Sequence, residues 1–218
     1  MSATAGEEDH TGPAPGWIAI GRHGRPALSR DVRLTAAEFR DWWRRYDAGG
    51  LAPDQSPPKA LCTLAAEADL VLSSTLPRAI ETAEAVAGGR AIRREPIFIE
   101  APLPPPRVPG RRSPSEWGVW ARCAWWLGAS GGQESRQEAE ARAVEAAHRL
   151  IAYARDGSNV LLCAHGWFNR MMRPVLMQAG WRCAIDGGDE YWSFRRYEFQ
   201  HLRLSHGQGP RSALQQRP

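Results

Sequence analysis

The stretch Trp17-Ile18-Ala19-Ile20-Gly21-Arg22-His23-Gly24 decides the fold of this chain. Its first four residues are apolar and have the length of a short buried strand, and a polar Arg-His-Gly tripeptide follows directly. An imidazole at the end of a strand can attack phosphorus while a neighbouring guanidinium neutralises the oxygens around it. Because this tripeptide also occurs by chance, its meaning depends on the rest of the chain.

Two later segments repeat the same order of apolar strand, small-residue turn and helical pattern. Asp69 to Leu72 leads into Ser73 to Ala83, and the segment from Val160 to Gly166 has the same form. In an open parallel sheet, ligands bind in the crevice beyond the carboxyl ends of the strands. The sequence therefore predicts that one rim of a sheet carries Arg22, His23, Arg78 and His165.

The three segments together resemble the histidine phosphatase superfamily, branch 1, which is also called phosphoglycerate mutase-like. The resemblance covers roughly residues 17 to 205 and is close at the three motifs. It implies a metal-independent phosphatase that hydrolyses a small-molecule phosphate ester through a phosphohistidine intermediate, without a cofactor. The alternation of strands and helices separately predicts a three-layer α/β/α sandwich with a mostly parallel central sheet.

The resemblance also assigns roles to the residues of the predicted rim. His23 would be the nucleophile, and nearby arginines would keep its imidazole neutral by disfavouring a second positive charge. Arg22 and Arg78 would neutralise the phosphoryl oxygens. His165 would donate to the same oxygens, together with the first amides of the helix that follows it.

The general acid is less clearly marked. A carboxyl group has to protonate the leaving alkoxide, and family members usually place it where Glu100 stands here. The residues after Glu100 depart from the family pattern, because a proline-rich run replaces the glycine and aromatic residue of many relatives. Glu116 and Glu95 therefore remain alternatives to Glu100.

Four further residues are predicted to contact the substrate. Arg25 stands where many relatives carry glutamate or glutamine, and either binds an anionic ligand or points to solvent. Ser29 occupies the place of an asparagine that touches phosphate in many relatives. Gly166 and Trp167 begin the helix after His165, and Trp167 is expected to be a wall of the pocket.

The rest of the sequence predicts one domain over residues 16–205, with disordered tails at 1–15 and 206–218. Thr35 and Glu38 form a capping-box pattern for a helix that ends near Gly49. The other predictions are an extended segment at 92–100, a tryptophan-rich cap insertion at about 101–132, helices at 77–87, 134–155 and 167–179, and a closing antiparallel pair near 191–199 and 201–204. Packing is the favoured role of the tryptophans in the cap, and the alternative is that one of them lines an apolar part of the pocket.

Composition and charge limit the classes of partner that the sequence predicts. The chain has 218 residues and a formal charge of +4, and no basic stripe interleaved with aromatic residues indicates nucleic acid. The four cysteines show no metal-type spacing and suit a reducing cytoplasm, and no apolar run is long enough to span a bilayer. The oligomeric state stays open between a monomer and a dimer, because the aromatic segment at 191–199 either pairs with a second copy or covers the sheet.

Three other functions compete with a phosphatase. A phosphoglycerate mutase-type phosphotransferase would need mutase-like residues after Gly24 and around Glu100, which this chain lacks. A catalytically decayed protein that binds a phosphate ligand is compatible with the uncertain acid and the proline run. A metal hydrolase using His23 and His165 would need a ligand spacing that the sequence does not contain.

Overall fold

The computed structural model describes residues 13–104 and 107–200. Within these residues a six-stranded sheet has the order β3-β2-β4-β1-β6-β5. Its strands are β1 (Ile18–Arg22), β2 (Leu70–Ser73), β3 (Ile92–Arg94), β4 (Val160–Ala164), β5 (Trp181–Asp186) and β6 (Phe194–Phe199). The pairs β1–β4, β2–β4 and β2–β3 are parallel, whereas β6 runs antiparallel to both β1 and β5. The prediction of a mostly parallel central sheet is confirmed.

Helices cover both faces of the sheet. They are α1 (Ala36–Ala48), α2 (Lys59–Glu67), α3 (Pro77–Ala87), α4 (Pro114–Trp126), α5 (Arg136–Arg155) and α6 (Gly166–Gln178). Alternate residues of β1 point to opposite faces: Ile18 and Ile20 pack with α5 and α6, whereas Ala19 packs with α2 and α3. This division produces the three predicted layers.

A separate aromatic cluster joins α1 to α4. Phe39, Trp42 and Tyr46 of α1 are buried against Trp117 of α4, with 6.1 Å between the ring centroids of Phe39 and Trp117. Trp117 therefore has the packing role that the sequence predicted, while Trp120, one turn later, is 47% exposed. At its other end α4 packs through the buried Trp125 against Ala139 of α5 and Met171 of α6. The helix therefore lies as a wall beside the carboxyl ends of the strands.

Helix ends follow the local chemistry of their residues. Thr35 and Glu38 form the predicted capping box of α1, and Pro77 occupies the first turn of α3. The predicted α3 bounds are confirmed, whereas α2 was not predicted at all. The prediction of an extended segment at 92–100 is wrong in part, because β3 ends at Arg94 and a short 3-10 helix, Pro96–Phe98, follows.

The closing strand pair also differs from the prediction. The partners of β6 are β1 on one edge and β5 on the other, so both of its hydrogen-bonding edges are used. The segment 201–204, which was predicted as its partner, lies outside the described residues. Gly180, with φ of +90°, turns the chain from α6 into β5, a role that suits glycine because it lacks a Cβ. Of the predicted tails, residues 1–12 and 206–218 lie outside the described residues.

Candidate active site

A cavity of about 420 Å³ opens at the carboxyl ends of the central strands. Arg22 and His23 reach it from the end of β1, and Arg78 reaches it from the first turn of α3. Gly166 and Trp167, at the start of α6, form another part of its wall. The three sequence segments that carry the motifs thus meet at one cavity, as expected for parallel strands that end at the same edge.

His23 is held in one tautomer. Its Nδ1 lies 2.7 Å from the carbonyl oxygen of Gly24, and a carbonyl oxygen only accepts, so Nδ1 carries the proton. The Nε2 atom therefore keeps its lone pair, and Arg78 Nε donates to it at 3.3 Å. Burial and then the positive charge of Arg78 lower the pKa of His23 well below its ordinary value. The imidazole is neutral, as a nucleophile requires.

Arg78 is buried and reaches three groups from the base of α3. Besides His23, its guanidinium donates to the Tyr46 carbonyl oxygen at 3.2 Å and to Asp47 Oδ1 at 3.0 Å. Burial raises the pKa of Asp47, an effect that the neighbouring charge of Arg78 opposes. The guanidinium also lies over the Tyr46 ring. Arg78 is consequently fixed in place by contacts with α1.

His165 lies next to His23, with 5.2 Å between their ring centroids. Its Nε2 is 2.6 Å from Ser74 Oγ, and its buried Nδ1 has no hydrogen-bond partner among the described residues. Burial and then the charge of Arg78 lower the pKa of His165 well below its ordinary value. His165 is also the N-cap residue of α6, so the positive end of that helix points to the same place.

Arg22 is oriented by the loop that precedes β6. One of its terminal nitrogens donates to the backbone carbonyl of Asp189, and its guanidinium carbon lies 4.3 Å from the centroid of the Tyr191 ring. Its Nε is buried and has no hydrogen-bond partner among the described residues. A Cβ on Gly166 would come within 3.2 Å of this Nε, so the glycine after His165 gives Arg22 its space.

Glu100 is the one of the three candidate acids that reaches the cavity. Its carboxylate accepts from the backbone amides of Phe168 at 2.8 Å and Trp167 at 3.2 Å, in the first turn of α6. Glu116 instead completes the exposed capping box at the start of α4, and Glu95 pairs with Arg93 and Arg149.

Two predicted substrate contacts are not brought to the cavity. Arg25 is exposed and pairs with Asp54 at 2.8 Å, and Ser29 is exposed in the loop after β1. Neither lines the cavity, whereas Arg30 does. The chain direction after Gly24 is the reason, because Pro26 forms a bridge with Leu51 and carries the loop away from the strand ends.

Sequence reasoning missed several residues that line the cavity. Arg30 lies 5.1 Å from the centroid of the Tyr46 ring, and its buried Nε has no partner among the described residues. Helix α4 contributes Ser115, Gly118, Val119, Arg122 and Cys123, and further positions come from Trp43, Arg170 and Asp189. The spacing of three and four residues along α4 was a usable signal, but the same spacing describes ordinary packing.

The described part of the chain offers no cluster of three or more His, Cys, Asp or Glu residues that could hold a metal ion. Within the same residues, no helix has both the length and the apolar character needed to cross a bilayer.

Fold and site define a class of α/β proteins in which paired histidines and arginines surround one cavity at the ends of parallel strands. This chain belongs to the histidine phosphatase superfamily (branch 1), whose family model matches residues 59–201. The matched residues include Arg78 and His165 but begin after His23. Arg22 and His23 are placed at the same cavity by the structure and not by the family model. A search of curated proteins found no match.

Three solved structures with the same architecture match most of this chain. The open reading frame Rv3214 from Mycobacterium tuberculosis is 19% identical, covers 86% of this chain and 93% of its own, and has a TM-score of 0.53. Mycobacterial glucosyl-3-phosphoglycerate phosphatase in complex with VO3 is 21% identical, with coverages of 75% and 82% and a TM-score of 0.50. A mutant phosphoserine phosphatase from Entamoeba histolytica in complex with phosphoserine is 15% identical, with coverages of 85% and 92% and a TM-score of 0.50. These similarities establish the fold.

Proposed function

We propose that this protein is a metal-independent phosphatase that hydrolyses phosphate monoesters of small molecules through a phosphohistidine intermediate. The observation that carries the proposal is the neutral tautomer of His23, whose Nε2 lone pair faces Arg78 beside a second buried imidazole, that of His165. When a phosphoryl group binds, Arg78 Nε would exchange its hydrogen bond to Nε2 for one to a phosphoryl oxygen. The lone pair would then be free to attack phosphorus, and the donors around it would stabilise the charge on the oxygens.

The first half of the proposed reaction forms a bond from His23 Nε2 to phosphorus as the bond from phosphorus to the ester oxygen breaks. Protonated Glu100 gives its proton to the leaving alkoxide, which departs as an alcohol. In the second half, water attacks phosphorus while the Glu100 carboxylate takes its proton, and inorganic phosphate leaves neutral His23 behind. Arg22, Arg78 and His165 donate to the phosphoryl oxygens in both halves.

Unpartnered buried polar atoms support an anion in the cavity. Arg22 Nε, Arg30 Nε and His165 Nδ1 are buried without a hydrogen-bond partner among the described residues. An unsatisfied buried donor is costly, and an anionic ligand that accepts from it removes that cost. Arg30 joins the proposed anion site on this ground, with Gly166 and Trp167 at the helix end. Arg25 and Ser29 are left out of it.

One observation favours a different function. All the described hydrogen bonds of the Glu100 carboxylate come from backbone amides, those of Ala101, Trp167 and Phe168. A carboxylate that serves only to cap α6 would leave the reaction without an acid, and the protein would bind a phosphorylated ligand without turnover. We propose this phosphate-ligand binding protein as the second candidate.

Hydrolysis of p-nitrophenyl phosphate separates the two candidates. We expect turnover in excess chelator, and we expect His23→Ala to lower kcat at least ~10⁴-fold because the covalent step is lost. His148→Ala is the matched control, because this histidine is exposed on α5 and lies outside the cavity. With ³²P-labelled substrate and a denaturing quench, label should stay on the wild-type protein and not on the His23→Ala protein.

The same assay recognises the alternatives. Phosphate binding by wild type and His23→Ala without turnover in either supports the binding protein, and loss of activity in chelator supports a metal hydrolase.

All four cysteines are free thiols, which supports the proposed cytoplasmic location.

A further inference from the structure

One face of helix α4 leads from the cavity to a second depression. This depression is an open groove of about 430 Å³, and we call it the outer groove; it is lined by Arg122, Cys123, Trp126, Leu127 and Trp167. Arg122, Cys123 and Trp167 also line the cavity that holds His23. The cavity and the outer groove therefore adjoin at these three residues, so a chain that leaves the cavity past them would enter the groove.

The outer groove is apolar although an arginine contributes to it. Leu127 is 89% exposed and Trp126 is 49% exposed, and both are large apolar side chains. The Arg122 guanidinium lies between the rings of Trp125 and Trp167, 4.6 Å from each centroid. Because its charge is sandwiched in this way, the groove presents aromatic and aliphatic surface, and grouped exposed apolar side chains beside a cavity mark a binding surface.

Gly118 leaves free space on the cavity side of α4. It lies in the middle of α4 and lines the cavity, and a Cβ at this position would meet nothing within 4 Å. Glycine destabilises a helix interior, so packing does not explain it here. Its effect is to leave room on the cavity side of the helix, one turn before Arg122.

We infer that the outer groove binds the leaving group of the substrate, and that this leaving group carries an extended apolar chain. This inference rests on the proposed phosphatase function. It assigns the substrate to the class of phosphate monoesters of long-chain or bulky apolar alcohols. The polar end of such an ester would lie among the arginines and histidines, and its apolar end would lie against Trp126, Leu127 and Trp167.

A homologous series of n-alkyl phosphates, from ethyl to octyl and kept below micelle-forming concentrations, tests the inference. Complete burial of a methylene is worth about four-fold in affinity, and a groove open on one side covers about half of the chain, so about two-fold per methylene is expected. From butyl to octyl phosphate, which adds four methylenes, kcat/KM should rise about 16-fold. The His23→Ala protein serves as the blank for every ester.

The Leu127→Ser variant tests whether the outer groove causes the dependence of kcat/KM on chain length. Leu127 is almost fully exposed, so its replacement should leave folding intact, and the ratio of kcat/KM for octyl over butyl phosphate should fall about three-fold. Val144→Ser is the matched control: Val144 is 41% exposed on α5 and lines neither depression, so the ratio should keep its wild-type value.

Three results overturn the inference. A flat or falling chain-length series with turnover that still depends on His23 rejects the apolar leaving group and leaves the proposed function standing. A flat series together with a dimer that Leu127→Ser dissociates, seen by light scattering, assigns the outer groove to a second copy of the chain. No His23-dependent turnover of any ester rejects the proposed function and this inference together.

Discussion

The cavity has two walls that are built in opposite ways. The strand-end wall consists of Arg22, His23 and Arg78, with the fully buried His165 next to His23. The α4 wall consists of Ser115, Gly118, Val119, Arg122 and Cys123. In the strand-end wall His23, Arg78 and His165 are buried, and backbone or neighbouring side chains fix their orientation. In the α4 wall Val119 and Cys123 are exposed, and an aromatic cluster attaches the helix to α1.

For the proposed phosphatase, we expect this difference to separate the residues that react from those that select the substrate. Groups that carry out a reaction have to be held within fractions of an ångström, which strand ends and helix N-termini on a sheet can do. Side chains on a helix that packs beside the cavity can be substituted without disturbing the geometry of the strand ends. We therefore expect changes in the strand-end wall to alter the rate of reaction or the stability of the core, and changes in the α4 wall to alter the choice of substrate.

The largest expected difference between the two walls is in the loss of kcat when one buried arginine from each wall is replaced. Arg78→Lys should lower kcat for p-nitrophenyl phosphate by about 10²–10³-fold, because lysine keeps the charge but loses the planar fork that bonds His23 and Asp47 together. Arg122→Lys should lower kcat less than about 10-fold, because Arg122 donates to the carbonyl oxygens of Ala101 and Pro102. Burial lowers the pKa of Arg122 to about 10, so it is charged at neutral pH.

Arg94→Lys is the control for this comparison, because Arg94 is an exposed residue that pairs with Glu84. Steady-state kinetics of the three variants measures the difference. Equal losses in the Arg78 and Arg122 variants would contradict a division of labour between the two walls.

The second comparison uses one glycine from each region. A Cβ at Gly24 would come within 2.4 Å of the Trp192 ring, which cannot yield easily because its Nε1 donates to Gln55 at 2.7 Å. Gly24→Ala should therefore lower the free energy of unfolding by about 1–3 kcal/mol. Gly118→Ala should raise it by up to about 1 kcal/mol, because the added methyl meets nothing and favours the helix.

Urea unfolding at pH 7.5 compares the two glycine variants with wild type. A Gly24→Ala protein as stable as wild type would mean that the loop carrying Trp192 moves freely away from the strand-end wall.

The smallest expected effect concerns pH. Burial lowers the pKa of His165 in the folded protein, whereas in the unfolded chain it lies near ~6.5. Below about 6.5 the unfolded chain takes up a proton that the folded protein does not, so stability falls as the pH decreases toward the lowered pKa. The contribution of one such histidine is at most about 1.4 kcal/mol for each pH unit below 6.5.

His165→Gln should accordingly lose less stability than wild type between pH 7.5 and 5.5, and His148→Gln, which changes an exposed histidine, should behave as wild type does. Unfolding by urea at the two pH values measures this difference. An identical loss in wild type and His165→Gln would show that the site histidine is not held neutral.

Much of the strand-end wall was predictable because its signals are local. An apolar run that ends in a charged or imidazole residue predicts both the strand and the place where the side chain emerges, and parallel strands bring such ends to one edge. Local signals also account for the prediction of Arg25 and Ser29 as substrate contacts, although neither residue lines the cavity. Their positions follow the strand closely in sequence, but the bridge from Pro26 to Leu51 turns the loop away.

The α4 wall was not predictable in this way. The spacing of Trp117 and Trp120 describes one helix face, yet Trp117 is buried while Trp120 is 47% exposed. Which side of α4 faces α1 depends on contacts with Phe39 and Trp42, about 75 residues earlier in the chain. The helix α2 and the strand β5 were missed as well, because short elements are stabilised by the sheet they pack on and carry weak local signals.

The residues alone were enough to define the parallel α/β architecture, the nucleophile candidate and the groups that join it at the strand ends. Hydrophobic periodicity and strand-end chemistry act over a few residues, so they can be read along the chain. Only the tertiary structure brings Glu100, and neither Glu116 nor Glu95, to the cavity. It also brings Arg30 and Arg122 there and places an apolar groove beside the cavity. Those outcomes depend on packing between segments far apart in the chain, and such packing leaves no signature in either segment on its own.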